Sequence, residues 1–178
     1  MKRIVALLLL FSWAALAQAD APTFTFGGET YLKKFEVQGL APNAQVEFGL
    51  ATESLEGWTR LVTPHSFTQS GNDAGRAAAA LANLVRESYK GAPLRLMTSA
   101  QSAEAIIDFL ISAPNSDVME FNVFKYAPAG DGLIAFQFAR RIRFGEVDGA
   151  ALREIRERAV SEIAQYDMAP VRAFFGTR

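Results

Sequence analysis

The 178-residue sequence contains no cysteine and only one histidine. It therefore has no disulfide framework, no thiolate zinc site and no cysteine nucleophile, and a metal site with several histidine ligands is impossible. The 18 lysine and arginine residues nearly balance the 19 acidic residues, so the chain lacks the basic field that attracts nucleic acid. We predict no metal, no cofactor and no nucleic-acid partner.

The only long apolar run lies at the start of the chain. Lys2 and Arg3 precede the apolar residues 4–17, and an A-x-A cleavage site ends at Ala19. The apolar run is shorter than the roughly 17 to 25 residues that a membrane-spanning helix needs. We therefore predict a cleavable signal peptide over residues 1–19, export to the periplasm, and a single globular domain over residues 20–178 without membrane insertion.

Several short segments alternate polar and apolar residues, which is the pattern of half-buried strands. Residues 23–63 contain four such segments, and Pro64 is expected to end the fourth. The clearest strands are residues 118–126 and 133–144, joined through glycines that permit a turn, so they predict a β-hairpin. Residues 94–98 could form a further short strand.

Apolar residues at helical spacing predict three helices. The first runs from Asp73 to Tyr89, and the second is capped by Ser102 and ends before Pro114. The third follows Asp148, which is suited to cap it. Strands and helices together predict one α+β domain, a mainly antiparallel sheet packed by about three helices.

One group of residues suggests nucleophilic chemistry. His65 is the only imidazole, it is expected just past the end of a strand, and Ser66, Ser70 and Asp73 follow closely. A hydrolase needs a serine held against an imidazole that a carboxylate orients, and proximity in sequence does not create that geometry. The chain has no G-x-S-x-G motif. The competing interpretation is a loop histidine with local hydrogen bonds.

A second group suggests ligand binding. Strand alternation places Arg141 and Arg143 on one face and Arg140 on the other. Paired arginines can bind a carboxylate or phosphate, whereas the structural alternative is that these charges protect a strand end from aggregation. Likewise, Trp58 is either a core anchor or a ligand platform. The candidate binding residues are Trp58, Arg60, His65, Arg141 and Arg143.

Residues 47–63 contain the pattern E-F-x4-E-x-L-x2-W-T-x-L-V-T. This segment resembles one found in small exported bacterial proteins of unknown function, where a strand, a short loop and a second strand follow each other. The resemblance implies an exported α+β protein and carries no assigned activity. We interpret the loop acids Glu53 and Glu56 as solvated. The matching positions are Glu47, Phe48, Glu53, Leu55, Trp58, Thr59, Leu61, Val62 and Thr63.

These patterns lead us to expect a non-catalytic periplasmic module that binds an envelope protein or a small-molecule ligand. The alternative is a hydrolase that uses His65 with Ser66 or Ser70. A third interpretation is an envelope structural or inhibitor protein, in which the hairpin of residues 118–144 provides an interaction edge.

Overall fold

The structure, a computed structural model, describes residues 22–37, 43–54, 56–99 and 101–177. The predicted signal peptide lies outside the described residues. Within them, eight strands form one antiparallel sheet and three helices pack on it, so the predicted single α+β domain is confirmed. No helix in these ranges has the length and apolar character needed to cross a membrane.

The sheet consists of two antiparallel meanders that meet in its middle. The strands lie in the order β1-β2-β3-β4-β8-β7-β6-β5, so β4 and β8 form a central seam while β1 and β5 are the edges. In chain order the elements are β1 (Thr23–Phe26), β2 (Glu29–Val37), β3 (Asn43–Leu50), β4 (Arg60–Phe67), α1 (Ala74–Ser88), β5 (Leu94–Thr98), β6 (Ala105–Ile111), β7 (Val118–Ala129), β8 (Gly132–Arg143), α2 (Gly149–Gln165) and α3 (Ala169–Phe175).

The two faces of the sheet carry different helices, because successive side chains of a strand point to opposite faces. On one face, α2 and α3 pack on an aromatic core that includes the fully buried Phe48, Phe121 and Phe136. On the other face, α1 packs its alanines, among them Ala78 and Ala82, on β6, β7 and β8. We call these the α2/α3 face and the α1 face.

A buried carboxylate fastens α2 to the sheet. Asp108 of β6 is fully buried on the α2/α3 face and accepts a 2.9 Å hydrogen bond from Nε of Arg95. It accepts a second, short one from Nε of Arg156 in α2. A buried charge is costly unless it is paired and hydrogen-bonded, and these two arginines meet that requirement. Arg156 retains one buried nitrogen, Nη2, without a partner among the described residues.

A buried lysine binds the carboxyl-terminal end of α2. The ammonium of Lys125 in β7 donates to the carbonyl oxygens of Ala164 at 3.1 Å and Tyr166 at 3.0 Å. The last carbonyls of a helix lack partners within the helix, and a cation there also interacts favourably with the helix dipole. Glu104 lies 3.3 Å from the same ammonium and balances its charge.

The second predicted helix is wrong, because Ala105–Ile111 forms β6, paired with both β5 and β7. Its apolar residues cover both faces: Ile107 and Phe109 face α1, while Ile106 and Leu110 join the opposite core. A strand buried on both faces does not alternate, so short apolar runs of this kind also fit a helix. The helix predicted after Asp148 is α2, and the structure adds a further helix, α3, which the sequence analysis missed.

Pro64 does not end the fourth strand as expected. β4 continues to Phe67 and pairs with β8 along its whole length. Proline lacks the N–H that a ladder needs, and the pairing of β4 with β3 is interrupted between His65 and Val62. His65 therefore lies inside a central strand and not in a loop beyond its end.

The predicted hairpin and the predicted cap at Asp148 are confirmed, whereas Ser102 lies in a turn and caps no helix. Gly130 adopts a left-handed φ of 58° in the tight turn between β7 and β8. A Cβ at Gly132 would lie 2.5 Å from the carbonyl oxygen of Phe67, so the seam requires glycine there. Asp73 and Asp148 cap α1 and α2. Both hairpin strands are paired on both sides, so the interpretation of the hairpin as an interaction edge is wrong.

Candidate functional site

Glu53 holds the loop before β4 in place through hydrogen bonds to the residues that follow Trp58. The carboxylate of Glu53 accepts the Thr59 amide at 3.0 Å and also the Thr59 hydroxyl. Burial acts to raise the pKa of Glu53, but these hydrogen bonds, together with one from the Arg60 amide, hold it below its ordinary value. Glu53 therefore anchors the loop through hydrogen bonds, a role that the sequence analysis did not assign to it.

Arg141 lies flat against Trp58. Its guanidinium carbon is 3.8 Å from the centroid of the indole ring, a cation–π geometry. On the other side, its Nε lies 3.6 Å from a carboxylate oxygen of Glu120, and Nη1 donates to the carbonyl of Glu56 at 3.5 Å. Three contacts therefore orient one half-exposed guanidinium.

Trp58 and Arg141 line a cleft of about 500 Å³ at the end of the seam, which we call the Trp58 cleft. The cleft brings together four of the five predicted binding residues, Trp58, Arg60, Arg141 and Arg143, and only His65 lies elsewhere. Its charged lining residues are Arg60, Arg140, Arg141, Arg143, Glu56 and Glu146.

Arg140 differs from the other arginines of the cleft. Arg60 pairs with Glu29, and Arg143 lies 2.9 Å from Asp117. Among the described residues, no carboxylate lies within ion-pair distance of Arg140. β8 is a central strand, so the arginine cluster does not protect a sheet edge.

A row of buried polar side chains leads from His65 towards the Trp58 cleft on the α1 face. Nε2 of His65 lies 3.0 Å from the Gln137 oxygen, and the Gln137 amide donates to the Asn122 oxygen at 2.7 Å. Asn122 then donates to Glu120 at 3.1 Å, and Glu120 pairs with Arg141. We call His65, Gln137, Asn122 and Glu120 the polar row.

The polar row determines the state of the imidazole. Burial lowers the pKa of His65 to about 4, although the hydrogen bond to Gln137 acts in the opposite direction. His65 is therefore neutral near pH 7, and its Nε2 carries the proton that it donates to Gln137. At the far end of the row, burial and the charge of Glu120 raise the pKa of Glu47, while Arg141 opposes them.

The structure does not assemble the predicted nucleophilic residues. His65 and Ser66 are neighbours on a strand, so their side chains point to opposite faces. Ser70 lies beyond β4 and is exposed, with its carbonyl oxygen accepting from Arg76. Among the described residues, no hydrogen bond joins the imidazole to a serine, and no group of three or more acidic or histidine side chains could hold a metal ion.

Sequence reasoning missed Arg140, Gln137, Asn122 and Glu120 as members of this site. One signal was present: Arg140 interrupts the apolar row that Phe138 and Ile142 continue on a core-facing side of β8. The polar row gave no comparable signal, because its members come from three strands whose register depends on the whole sheet.

A protein-family model matches residues 19–169. The chain belongs to this family. The family is uncharacterised, so membership assigns no activity, but the matched span contains every residue of the Trp58 cleft and the polar row. No curated protein and no solved structure matches the chain.

Proposed function

We propose that the protein is an exported, non-catalytic binding module that holds an anionic small molecule in the Trp58 cleft. The observation that carries this proposal is Arg140, a cleft arginine without a carboxylate partner among the described residues. A carboxylate or phosphate group of a ligand would provide the missing partner, and hydrogen bonds between charged groups are among the strongest in proteins.

The electrostatics of the cleft favour an anion. Four arginines line it against two glutamates, and three of the four already have a carboxylate partner. Arg141 is also oriented in advance by Trp58 and Glu120, which reduces the entropy lost when a ligand binds.

Two further observations support a binding role without catalysis. The imidazole of His65 is neutral and hydrogen-bonded to Gln137, and among the described residues no serine is hydrogen-bonded to it. The Trp58 cleft itself offers arginines, glutamates and an indole, without the pairing of nucleophile and base that covalent catalysis requires.

A fluorescence titration tests the ligand site. The chain has two tryptophans, and Trp13 falls within the predicted signal peptide, so the processed protein would report only on Trp58. We expect inorganic phosphate or succinate to change the Trp58 emission saturably. Arg140→Gln should weaken this binding at least about tenfold, whereas the control Arg153→Gln, on the exposed side of α2, should bind like the wild type. Equal binding by Arg140→Gln, or no response to any anion, contradicts the proposal.

Intact mass spectrometry of the protein from a periplasmic extract tests export. Cleavage after Ala19 is the expected result, and a chain that retains residues 1–19 or is absent from the extract contradicts it. A native spectrum of the same sample should show excess mass that disappears on denaturation. A stable complex with an envelope protein, and no small ligand, would instead favour the partner-protein alternative.

A further inference from the structure

A second cleft adjoins the Trp58 cleft on the α2/α3 face. It has a volume of about 280 Å³ and lies between α2 and the ends of β1, β2 and β8, and we call it the α2 cleft. Arg60 and Arg140 line both clefts. By strand alternation the side chain of Arg140 lies on the α2/α3 face with Phe138, opposite Arg141, so Arg140 stands at the border between the two clefts. Among the described residues it has no carboxylate partner.

The floor of the α2 cleft is apolar. Phe26 and Phe138 form part of it, with ring centroids 4.9 Å apart, and Ile155 and Ala159 of α2 close the other side. Water in contact with such a surface is displaced favourably by an apolar ligand group.

The charges around the α2 cleft cancel, unlike those of the Trp58 cleft. Its three arginines face three glutamates, and two of these pairs are formed: Arg60 with Glu29, and Arg158 with Glu154 at 3.0 Å. A neutral cavity with an apolar floor thus lies directly beside a cavity with an excess of positive charge.

We propose that the two clefts are one site for an anionic amphiphile, whose acidic group binds Arg140 and whose alkyl or aryl part lies on Phe26 and Phe138. This inference rests on the proposed function and adds the chemical class of the ligand. Together the clefts fall within the roughly 300–1,000 Å³ of known small-molecule sites. A short anion would satisfy Arg140 but leave the apolar floor of the α2 cleft in water.

Isothermal titration with straight-chain carboxylates, from acetate to octanoate, tests the inference on protein purified after expression of the full chain. Each methylene that enters the α2 cleft should tighten binding by about fourfold, until the cleft is full. Ala151→Leu adds bulk to the lining of the α2 cleft and should remove this dependence on chain length while acetate binding persists. Ala150→Leu, on the adjacent exposed position that does not line the cleft, is the matched control and should behave like the wild type.

A second variant changes the size of the α2 cleft in the opposite direction, so the test does not depend on whether one substitution disturbs the fold. Ile155→Ala enlarges the α2 cleft, so the chain length at which affinity levels off should increase. Equal affinities for acetate and octanoate, or an unchanged profile in Ala151→Leu, overturn the amphiphile inference. If phosphate binding that depends on Arg140 persists in that case, the proposed function stands alone. If no anion binds the wild type, both fail.

Discussion

The carboxylate of Asp108 and the polar row are two buried polar systems with different consequences. Asp108 forms ion pairs with Arg95 of the neighbouring strand β5 and with Arg156 of α2, and the second pair attaches a helix to the sheet. The polar row contains a neutral imidazole and two amides, and it ends on a carboxylate that orients Arg141. The difference suggests that the first system stabilises the fold, whereas the second links the interior to the Trp58 cleft.

The largest expected effect comes from breaking the Asp108 system. Asp108→Asn leaves the largely buried Arg156 without its counter-charge, which should lower the free energy of unfolding by about 3–5 kcal/mol. Urea denaturation measures this loss. Glu154→Gln breaks an exposed ion pair of the same helix and should cost at most about 1 kcal/mol. Similar losses in both variants would show that burial of Asp108 does not matter.

The next effect is a pH dependence from the polar row. The folded protein disfavours protonation of His65, whose pKa of about 4 lies below the ordinary 6.5. The stability that this neutral imidazole contributes is complete above pH 6.5 and is lost as the pH falls towards 4, by about 3 kcal/mol in total. Unfolding curves measured across this range should show a steeper decline in the wild type than in His65→Gln. Parallel declines would mean that His65 titrates as it does in water.

A smaller effect is expected in the middle of the polar row. Asn122→Leu removes the acceptor of Gln137 and a donor to Glu120, so stability should fall by about 1–3 kcal/mol. The row also orients Arg141, so this variant should change the Trp58 emission, while Asp108→Asn should not. The matched control is Asn83→Leu on the exposed side of α1, for which we expect a change within about 0.5 kcal/mol. If the Trp58 emission of Asn122→Leu is unaltered, the polar row does not influence the Trp58 cleft.

The smallest effect on stability should come from the end of the row. Arg141 is half exposed, so loss of its cation–π contact in Arg141→Gln should cost only about 0.5–1 kcal/mol. Thermal unfolding gives the stability, and the anion titration gives the binding. We expect the free energy of anion binding to change more than the free energy of unfolding. The reverse order would mean that Arg141 mainly stabilises the fold.

Local sequence signals predicted the elements that local interactions determine. The hairpin has glycines at its turn, α2 has Asp148 as its cap, and both were found with nearly the observed bounds. β6 was mistaken for a helix because both its faces are covered, and only the position of its neighbours reveals that. α3 has only seven residues and no side-chain cap at Met168, and its one start signal, Pro170 in the first turn, was overlooked.

The site was predicted in its residue types but not in its assembly. Trp58 and Arg141 were recognised as binding candidates, and the structure places them in contact. Their contact depends on the pairing of β4 with β8, which joins two distant parts of the chain. His65 was expected in a loop because Pro64 indicates a strand end, but β8 supplies a continuous partner that compensates for the missing N–H on the β3 side.

The central seam also constrains the order in which the molecule can form. Arg60 lies opposite Arg140 in the sheet, so residues that face each other across the seam are about 80 residues apart in the chain. Contacts between distant segments form late, because the entropy of closing the intervening loop is lost before they stabilise anything. Each meander can fold from neighbouring strands, but until they join, β4 and β8 expose unpaired backbone groups that can associate with other chains. The step that forms the Trp58 cleft is therefore also the step that ends this vulnerability to aggregation.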